Sequence, residues 1–309
     1  MDKNTIIRRV KHLIENPHRM ITKLMLRYCP DLVSDKRYIR YIWDEHMDYP
    51  LNLKNPKTFN EKLQWLKLHD HNPLYTTLVD NVAVKEWVAS KIGIQYIIPT
   101  LAVYQSVEEI NIDELPDQFV LKCNNDSGGV YICKDKNTFD IETVKQKLAE
   151  ALKSNYYYAW REWPYKNIKP QILAEAYMED STTHSLPDYK FFAFNGKVKV
   201  MFIATDRSNP NTETKFDFFD TEFKHLNLRN GHPNADTPPS KPSCFSKMIQ
   251  LAEILSKDIP HVRCDFYEIN GKVYFGEMTF FHWAGIVPFD PSSFDRTMGE
   301  WLDLKQVKI

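Results

Sequence analysis

Two carboxylates and a guanidinium are the residues of this chain best placed to do chemistry. They lie in VRCDFYEINGKVYFGEMTFFHW, residues 262–283. Asn270-Gly271 stands between runs of alternating apolar residues, a strong hairpin signal because both residues accept positive φ. Folding the chain there runs two strands antiparallel and brings Asp265 near Glu277. Carboxylates so close repel unless a proton or a cation lies between them. Mg²⁺ is one such cation, since it takes one or two carboxylates together with substrate phosphates. Arg263 lies two residues before Asp265 and shares its face of the strand. An arginine beside two metal-binding acids suits a phosphoryl group in transfer. The competing reading is a pair of surface acids on strand ends.

A second stretch, FVLKCNNDSGGVYIC at 119–133, places Lys122 at a strand end before Ser127-Gly128-Gly129 and another strand. A glycine-rich turn lets backbone N–H groups approach phosphate oxygens, and a lysine adds a point charge. No GK[ST] follows and no helix begins there, so it is not a P-loop. An ordinary hairpin turn explains it equally well.

The elements that must hold these residues follow from periodicity. Ile6, Val10, Leu13 and Ile14 recur at helical spacing, and residues 1 to about 50 read as helices. Thr58-Phe59-Asn60-Glu61 is a capping box that opens EKLQWLKLHD, and a second helix, NVAVKEWVASKI, starts after Asp80 and stops at Gly93. Strands are expected at IIPTLAVY, QFVLKC, VYICKD and QILAEAYM, with a helix at DIETVKQKLAEALKS and an aromatic packing surface at YYYAWREWPY. YKFFAFNGKVKVMFIA forms a second Asn-Gly hairpin, a polar loop covers roughly 229–242, and helices are expected at FSKMIQLAEILSK and SFDRTMGEWLDL. Helices first and antiparallel hairpins later give an α+β, or mixed α/β, class.

Forty basic residues against forty-one acidic ones leave no large basic face for nucleic acid. Residues 1–40 differ, with ten Lys/Arg against four acids. That excess reads as a solvated helix face or as a docking surface for a membrane or an anionic saccharide. Five cysteines without a CxxC pair suggest neither a disulfide framework nor a zinc site, and Cys123 and Cys264 read as buried filler. With no signal-peptide core and no apolar run of spanning length, the expected location is cytoplasmic.

Taken in order, Lys122 with its glycine turn, Glu175 on a later strand, and Arg263, Asp265 and Glu277 on a hairpin resemble the ATP-grasp ligases. The chain is similar to the TupA-like branch, named for teichuronopeptide biosynthesis. NPKTFNEKLQWLKLHDHNPLYTTLVD, IIPTLAVYQS, LPDQFVLKCNNDSGG, ILAEAYMED, DYKFFAFNGKVK, ATDR and VRCDFYEINGKVYFGEMTFF carry that similarity over roughly residues 50–285. The resemblance implies an ATP-grasp fold: a helical N-terminal region and substrate-side subdomain (1–100), a lid subdomain with the glycine loop (101–177) and a C-terminal subdomain with the metal site (178–309).

It also implies roles. Lys122 would contact ATP phosphates under a lid of Ser127, Gly128 and Gly129. Glu175, Tyr177 and Met178 would line the adenine pocket, while Asp188 and Lys190 would sit by ribose or phosphates. Arg263 would stabilise the transferred phosphoryl, Asp265 and Glu277 would hold Mg²⁺, and Arg207 would bind the carboxylate substrate. Two positions depart from the branch: Asn81 stands where a phosphate-binding lysine is usual, leaving Lys85 to substitute or the binding weaker, and Thr279 is a poor metal contact. The implied reaction activates a carboxylate as an acylphosphate and joins it to an amine. The expected partners are a sugar uronate and an amino acid or other amine, in capsular or other surface polysaccharide biosynthesis. A glycosyltransferase of the same pathway and a non-catalytic binding protein on a degenerate ATP-grasp fold remain the alternatives.

Overall fold

A computed structural model describes residues 17–29, 32–125, 129–181, 186–206 and 212–307. The basic residues Lys3, Arg8, Arg9 and Lys11, the lid residues Ser127 and Gly128, and Arg207 lie outside the described residues. Among the described residues no helix is long and apolar enough to cross a membrane.

Helices α1 (Pro17–Tyr28), α2 (Asp35–His46), α3 (Phe59–His69), α4 (Leu74–Val79) and α5 (Ala83–Ile92) come first. The capping box is formed: Glu61 N donates to Thr58 Oγ1 at 3.2 Å and Thr58 N donates to Glu61 Oε2 at 3.1 Å. Gly93 ends α5 at φ 109°, a backbone region that favours glycine.

Strands β1 (Thr100–Tyr104), β2 (Phe119–Cys123), β3 (Val130–Cys133) and β4 (Ile172–Ala176) form an antiparallel sheet in the order β1-β4-β2-β3. Helix α6 (Ile141–Lys153) covers it, burying Val144 and Leu148 in one cluster with Phe119, Leu121, Ile172 and Ala174. After the short helix α7 (Tyr156–Trp160), strands β5 (Asp188–Phe194), β6 (Lys197–Thr205), β7 (Lys215–Phe219), β8 (His225–Leu226), β10 (Val262–Ile269) and β11 (Lys272–Thr279) form a second sheet, ordered β11-β10-β5-β6-β7-β8. The remaining strands, β9 (Arg229–Asn230) and β12 (Phe289–Asp290), pair with each other. Both predicted Asn-Gly turns occur, with φ of 47° and 76° at Asn195-Gly196 and 51° and 70° at Asn270-Gly271. Strands β7, β8, β9 and β12 are absent from the sequence reading.

The six-stranded sheet carries the larger core. Phe191, Phe192, Phe202 and Phe266 are buried in it with α8 (Phe245–Leu255), and so are Phe59, Leu63, Leu78 and Val88 of the early helices. Each such side chain, moved from water, contributes roughly 1.5–3 kcal/mol. Helix α9 (Ser293–Trp301) returns to α3, where Asp295 Oδ1 accepts from Asn60 N at 2.9 Å. Cys123 and Cys264 are buried, as expected of filler.

Candidate active site

The hairpin's register explains why its acids meet. From Ile269↔Lys272 to Phe266↔Phe275 the pairing is that of a simple two-residue turn, which, continued, would set Gly276 opposite Asp265. A β-bulge intervenes, Gly276 is left over, and Glu277 moves opposite Asp265 instead. A Cβ at position 276 would stand 3.1 Å from the Asp265 carbonyl oxygen, so the bulge is tight enough to favour glycine. Strand β5 lies on the other side of β10 and pairs Lys190 with Asp265. Lys190, Asp265 and Glu277 thus form one row across three strands.

Asp265 is wholly buried and held on both oxygens. Arg263 grips it as a fork, Nε to Oδ1 and Nη2 to Oδ2, both at 2.7 Å, and Lys190 Nζ donates to Oδ2. Burial pushes the Asp265 carboxyl up, but Arg263 and Lys190 outweigh it and hold the group well below the usual carboxylate range. The cation between the two acids is therefore the protein's own: Arg263 Nη2 also reaches Glu277 Oε1 at 3.0 Å. Thr279 Oγ1 accepts from Arg263 at 2.9 Å and donates to Glu277 at 3.2 Å, so its hydroxyl joins Arg263 to Glu277. Asp188 sits 3.2 Å from Lys190 Nζ and is buried beside it. Glu277 is different: its side chain is 50% exposed and lines a cavity of about 550 Å³ together with Arg263 and Lys190.

His282 and Asn230, which the sequence did not single out, set the angle of Arg263. Asn230 Nδ2 donates to the carbonyls of Val287 and Pro288, leaving Oδ1 to accept from His282 Nε2 at 2.8 Å. His282 Nδ1 is then the acceptor for Arg263 Nη1, also at 2.8 Å. Burial, reinforced by Arg263, lowers the His282 pKa well below its ordinary value, which keeps the ring neutral and able to accept.

A second ion cluster lies nearby. Glu175 Oε1 is 2.5 Å from Lys85 Nζ and its Oε2 is 2.6 Å from Lys122 Nζ. Burial raises the Glu175 carboxyl, but the two lysines reverse that and lower it. These three residues line a smaller cavity of about 140 Å³, walled also by Val130 and Ile132, by Tyr177 and Met178 and by Gly276 of the hairpin. The exposed Val130 and Ile132 on β3 find their explanation as walls of that cleft. Asn81 and Val84 belong to the walls of both cavities, so the two adjoin. Lys85, one turn beyond Asn81, occupies the position facing Lys122 across Glu175.

Of the expected residues, Arg263, Asp265, Glu277, Asp188 and Lys190 come together in one cluster, with Lys122, Glu175, Tyr177 and Met178 around the smaller cavity. Gly129 immediately precedes β3. The stretch expected to be a packing surface does more than pack: Tyr156, Trp160, Glu162 and Tyr165 line the larger cavity. Glu162 was legible only as an acid inside an aromatic run.

Two antiparallel sheets, with adjoining cavities lined by charged side chains, define a mixed α/β protein. The profile of the TupA-like ATPgrasp family matches residues 61–303, and the chain belongs to that family. No curated protein matches it. Among solved structures, D-alanine–D-alanine ligase from Bacillus anthracis complexed with ATP is 17% identical, with a TM-score of 0.37 over 66% of this chain and 55% of that one. The Helicobacter pylori D-alanine–D-alanine ligase is 14% identical at a TM-score of 0.40, over 81% and 69% of the two chains. The ATP-grasp ligase PsnB complexed with minimal precursor, Mg and ADP is 8% identical at 0.39, over 81% and 66%. The chain thus spans little more than half the length of the Bacillus anthracis ligase.

The residues present fit Mg-ATP. Lys85 and Lys122 share a single carboxylate, which leaves one excess positive charge for phosphate. Apolar Val130 and Ile132 offer walls for a planar base. Among the described residues no group of three His, Cys, Asp or Glu side chains could hold a metal unaided. Glu277, half exposed on the larger cavity, is the carboxylate open to a Mg²⁺ completed by phosphate oxygens, whereas both Asp265 oxygens are already held by Arg263 and Lys190.

Proposed function

We propose that this protein is an ATP-dependent carboxylate–amine ligase whose two substrates meet in the larger cavity. The observation that carries the reading is the Lys190–Asp265–Glu277 row with Arg263 forked onto it, adjoining the Lys85–Glu175–Lys122 cluster. ATP with Mg²⁺ would supply the phosphoryl group that activates the carboxylate. Lys122 and Lys85 would hold its phosphates, and the backbone of Tyr177 and Met178 its base. Glu277 is the metal ligand open to the cavity; Asp265 is held ionised behind it by Arg263 and Lys190. Arg263, fixed by His282, would set its positive charge beside the place where negative charge develops, which needs no reorganisation during reaction.

The substrate class is a sugar uronate joined to an amino acid or other amine, in surface polysaccharide biosynthesis. Phe216 and Trp283, stacked 6.1 Å apart in the cavity wall, offer apolar faces to a sugar ring. Residues 1–40 would give peripheral contact with a membrane surface or anionic saccharide, on the strength of their positive charge; charge reversal at Lys23 and Arg27 should raise the acceptor KM at low salt only, and an unchanged KM removes the role.

Incubation of glucuronate, galacturonate and their UDP conjugates with Mg-ATP and hydroxylamine tests the reaction class. A ligase releases ADP only with a carboxylate present and yields a hydroxamate detectable by mass spectrometry. ADP release accompanied by a stable sugar phosphate, with no hydroxamate, would replace this reading with a kinase.

A further inference from the structure

We propose that Glu162 is the group that receives the amine: its carboxylate binds the incoming nitrogen and takes the proton released as the carbon–nitrogen bond forms. This rests on the ligase reading above.

The local backbone is arranged to present Glu162. Helix α7 ends at Arg161 in the left-handed region, φ 55°, and the chain turns there. The Arg161 guanidinium is anchored away from the cavity, 4.4 Å over the Tyr38 ring and 3.3 Å from Asp35. Glu162 follows immediately, 3% exposed and lining the larger cavity. Its Oε1 is buried with no hydrogen-bond partner among the described residues. A buried acceptor left unpaired costs about 1–3 kcal/mol, and more when charged.

The neighbouring cations do not meet that need. Lys67 Nζ is committed to the Ala284 carbonyl at 2.8 Å and lies over the Phe281 ring. Arg263 is committed to Asp265, Glu277, Thr279 and His282. A donor on a ligand entering the cavity would meet that need. Tyr156, Trp160 and Tyr165 in the same wall give that ligand aromatic faces, which favour a cation or an amine over an anion. Burial, only partly offset by Lys67 and Arg263, pushes the Glu162 carboxyl up to about 7, suited to proton exchange near neutrality.

The step balances. An amine that arrives as an ammonium first passes one proton to Glu162, which hands it on to solvent and so frees the nitrogen lone pair. The lone pair then forms the bond to the acyl carbon, the carbon–oxygen bond to phosphate breaks, and phosphate leaves with that electron pair. The nitrogen's proton passes to Glu162 and from there to phosphate or solvent.

Two measurements test this. In the first, the Met278 methyl in the cavity wall is followed by NMR while methylammonium chloride is added, with potassium chloride as control. The wild-type signal should move saturably with methylammonium alone, and E162Q should lose the response. An equal response in both proteins, or none in the wild type, overturns the proposal whatever the turnover data show. The second measurement compares hydroxylamine, uncharged at neutral pH, with ammonia, which is then almost wholly ammonium, on the uronate substrates. E162Q should lose about 10²-fold in primary-amide yield, keep its hydroxamate yield within severalfold, and recover part of the amide as E162D. Equal loss of both products in a folded E162Q overturns the amine role but leaves the ligase standing. Absence of hydroxamate from the wild type removes the ligase itself, and the methylammonium titration then decides Glu162 alone.

Discussion

The two ion clusters on either side of Asn81 use similar groups to opposite effect. In the smaller cavity, two lysines share Glu175, with side chains 14% and 21% exposed. In the larger one, Arg263 and Lys190 are each 8% exposed and Asp265 is at 1%. A lysine is a mobile point charge, whereas a guanidinium fork fixes direction. Lys122, the more exposed of the two, can therefore turn from Glu175 to a phosphate while Lys85, also bonded to Ile98 O and Thr100 Oγ1, keeps that buried carboxylate paired. Arg263 cannot leave without stranding a buried carboxylate, and His282 with Asn230 holds it in place. One cluster is built to change partners and the other to stay still.

That contrast breaks most visibly at Arg263. R263M should destabilise the fold by about 3–5 kcal/mol, because Asp265 is left buried with only Lys190, and should remove at least about 10³-fold in ADP release. R263K should recover stability more than rate, since one ammonium cannot reproduce the fork. Denaturant melts alongside turnover assays read both; a stable, active R263M would show the fork to be dispensable.

E277Q should do the reverse of a core mutation. Its carboxylate is half exposed, so melting should change little, while ADP release falls about 10²-fold and the Mg²⁺ requirement rises. D265N, altering the buried member of the pair, should lose stability as well. If the two variants melt alike, the distinction between an open and a held carboxylate is wrong.

In the smaller cavity the expected effects are on binding. K122A and K85A should each raise the KM for ATP roughly tenfold, the value of one charge-assisted contact, with kcat less affected. Because both face Glu175, the double variant should fall short of the product of the two. Strict multiplicativity would mean that the lysines do not act on a common group.

The smallest effect is a slope with pH. The Glu162 carboxyl stands near 7 in the folded protein and at the ordinary carboxylate value in the unfolded chain. The folded state therefore retains a proton that the unfolded state has lost, and stability falls as pH rises through that interval. Asp265 is shifted the other way, so its contribution is present above the ordinary carboxylate pKa and is lost only as pH falls through lower values. E162Q should thus gain on the wild type in melting temperature between about pH 5 and pH 7. Parallel melting curves across that range would count against a buried, raised carboxyl.

Much of this was legible because it is local. Asn-Gly turns, a capping box and a glycine stop depend on residues a few positions apart, and each appears where expected. The Asp265–Glu277 meeting was anticipated for an incomplete reason. Turn geometry alone pairs Asp265 with Gly276, and a glycine inside a strand was the available sign of the bulge. The sequence reading placed Arg263 on the face of those acids but not as the group bridging them, which it does through Nη2, and Lys190, 75 residues earlier in sequence, adds a second cation on Asp265 that no local spacing announces. His282 and Glu162 were missed for a related reason: one is poised by Asn230, far along the chain, and the other is distinguished by a missing partner. Neither property has a sequence period. Strands β7 and β8 are short, and KFDFF alternates too briefly to separate from a loop.

The strand order has a consequence for the order of synthesis. Strands β5 to β8 leave the ribosome before β10, yet β10 pairs directly with β5. Until residues 262–269 emerge, β5 is an open edge carrying unpaired backbone groups and a lysine that lacks its main counter-ion. Such an edge can recruit any extended segment nearby. The carboxylate hairpin is therefore also the closing strand pair of its sheet, and a ribosome that stalls before residue 262 would release a chain that is both inactive and adhesive.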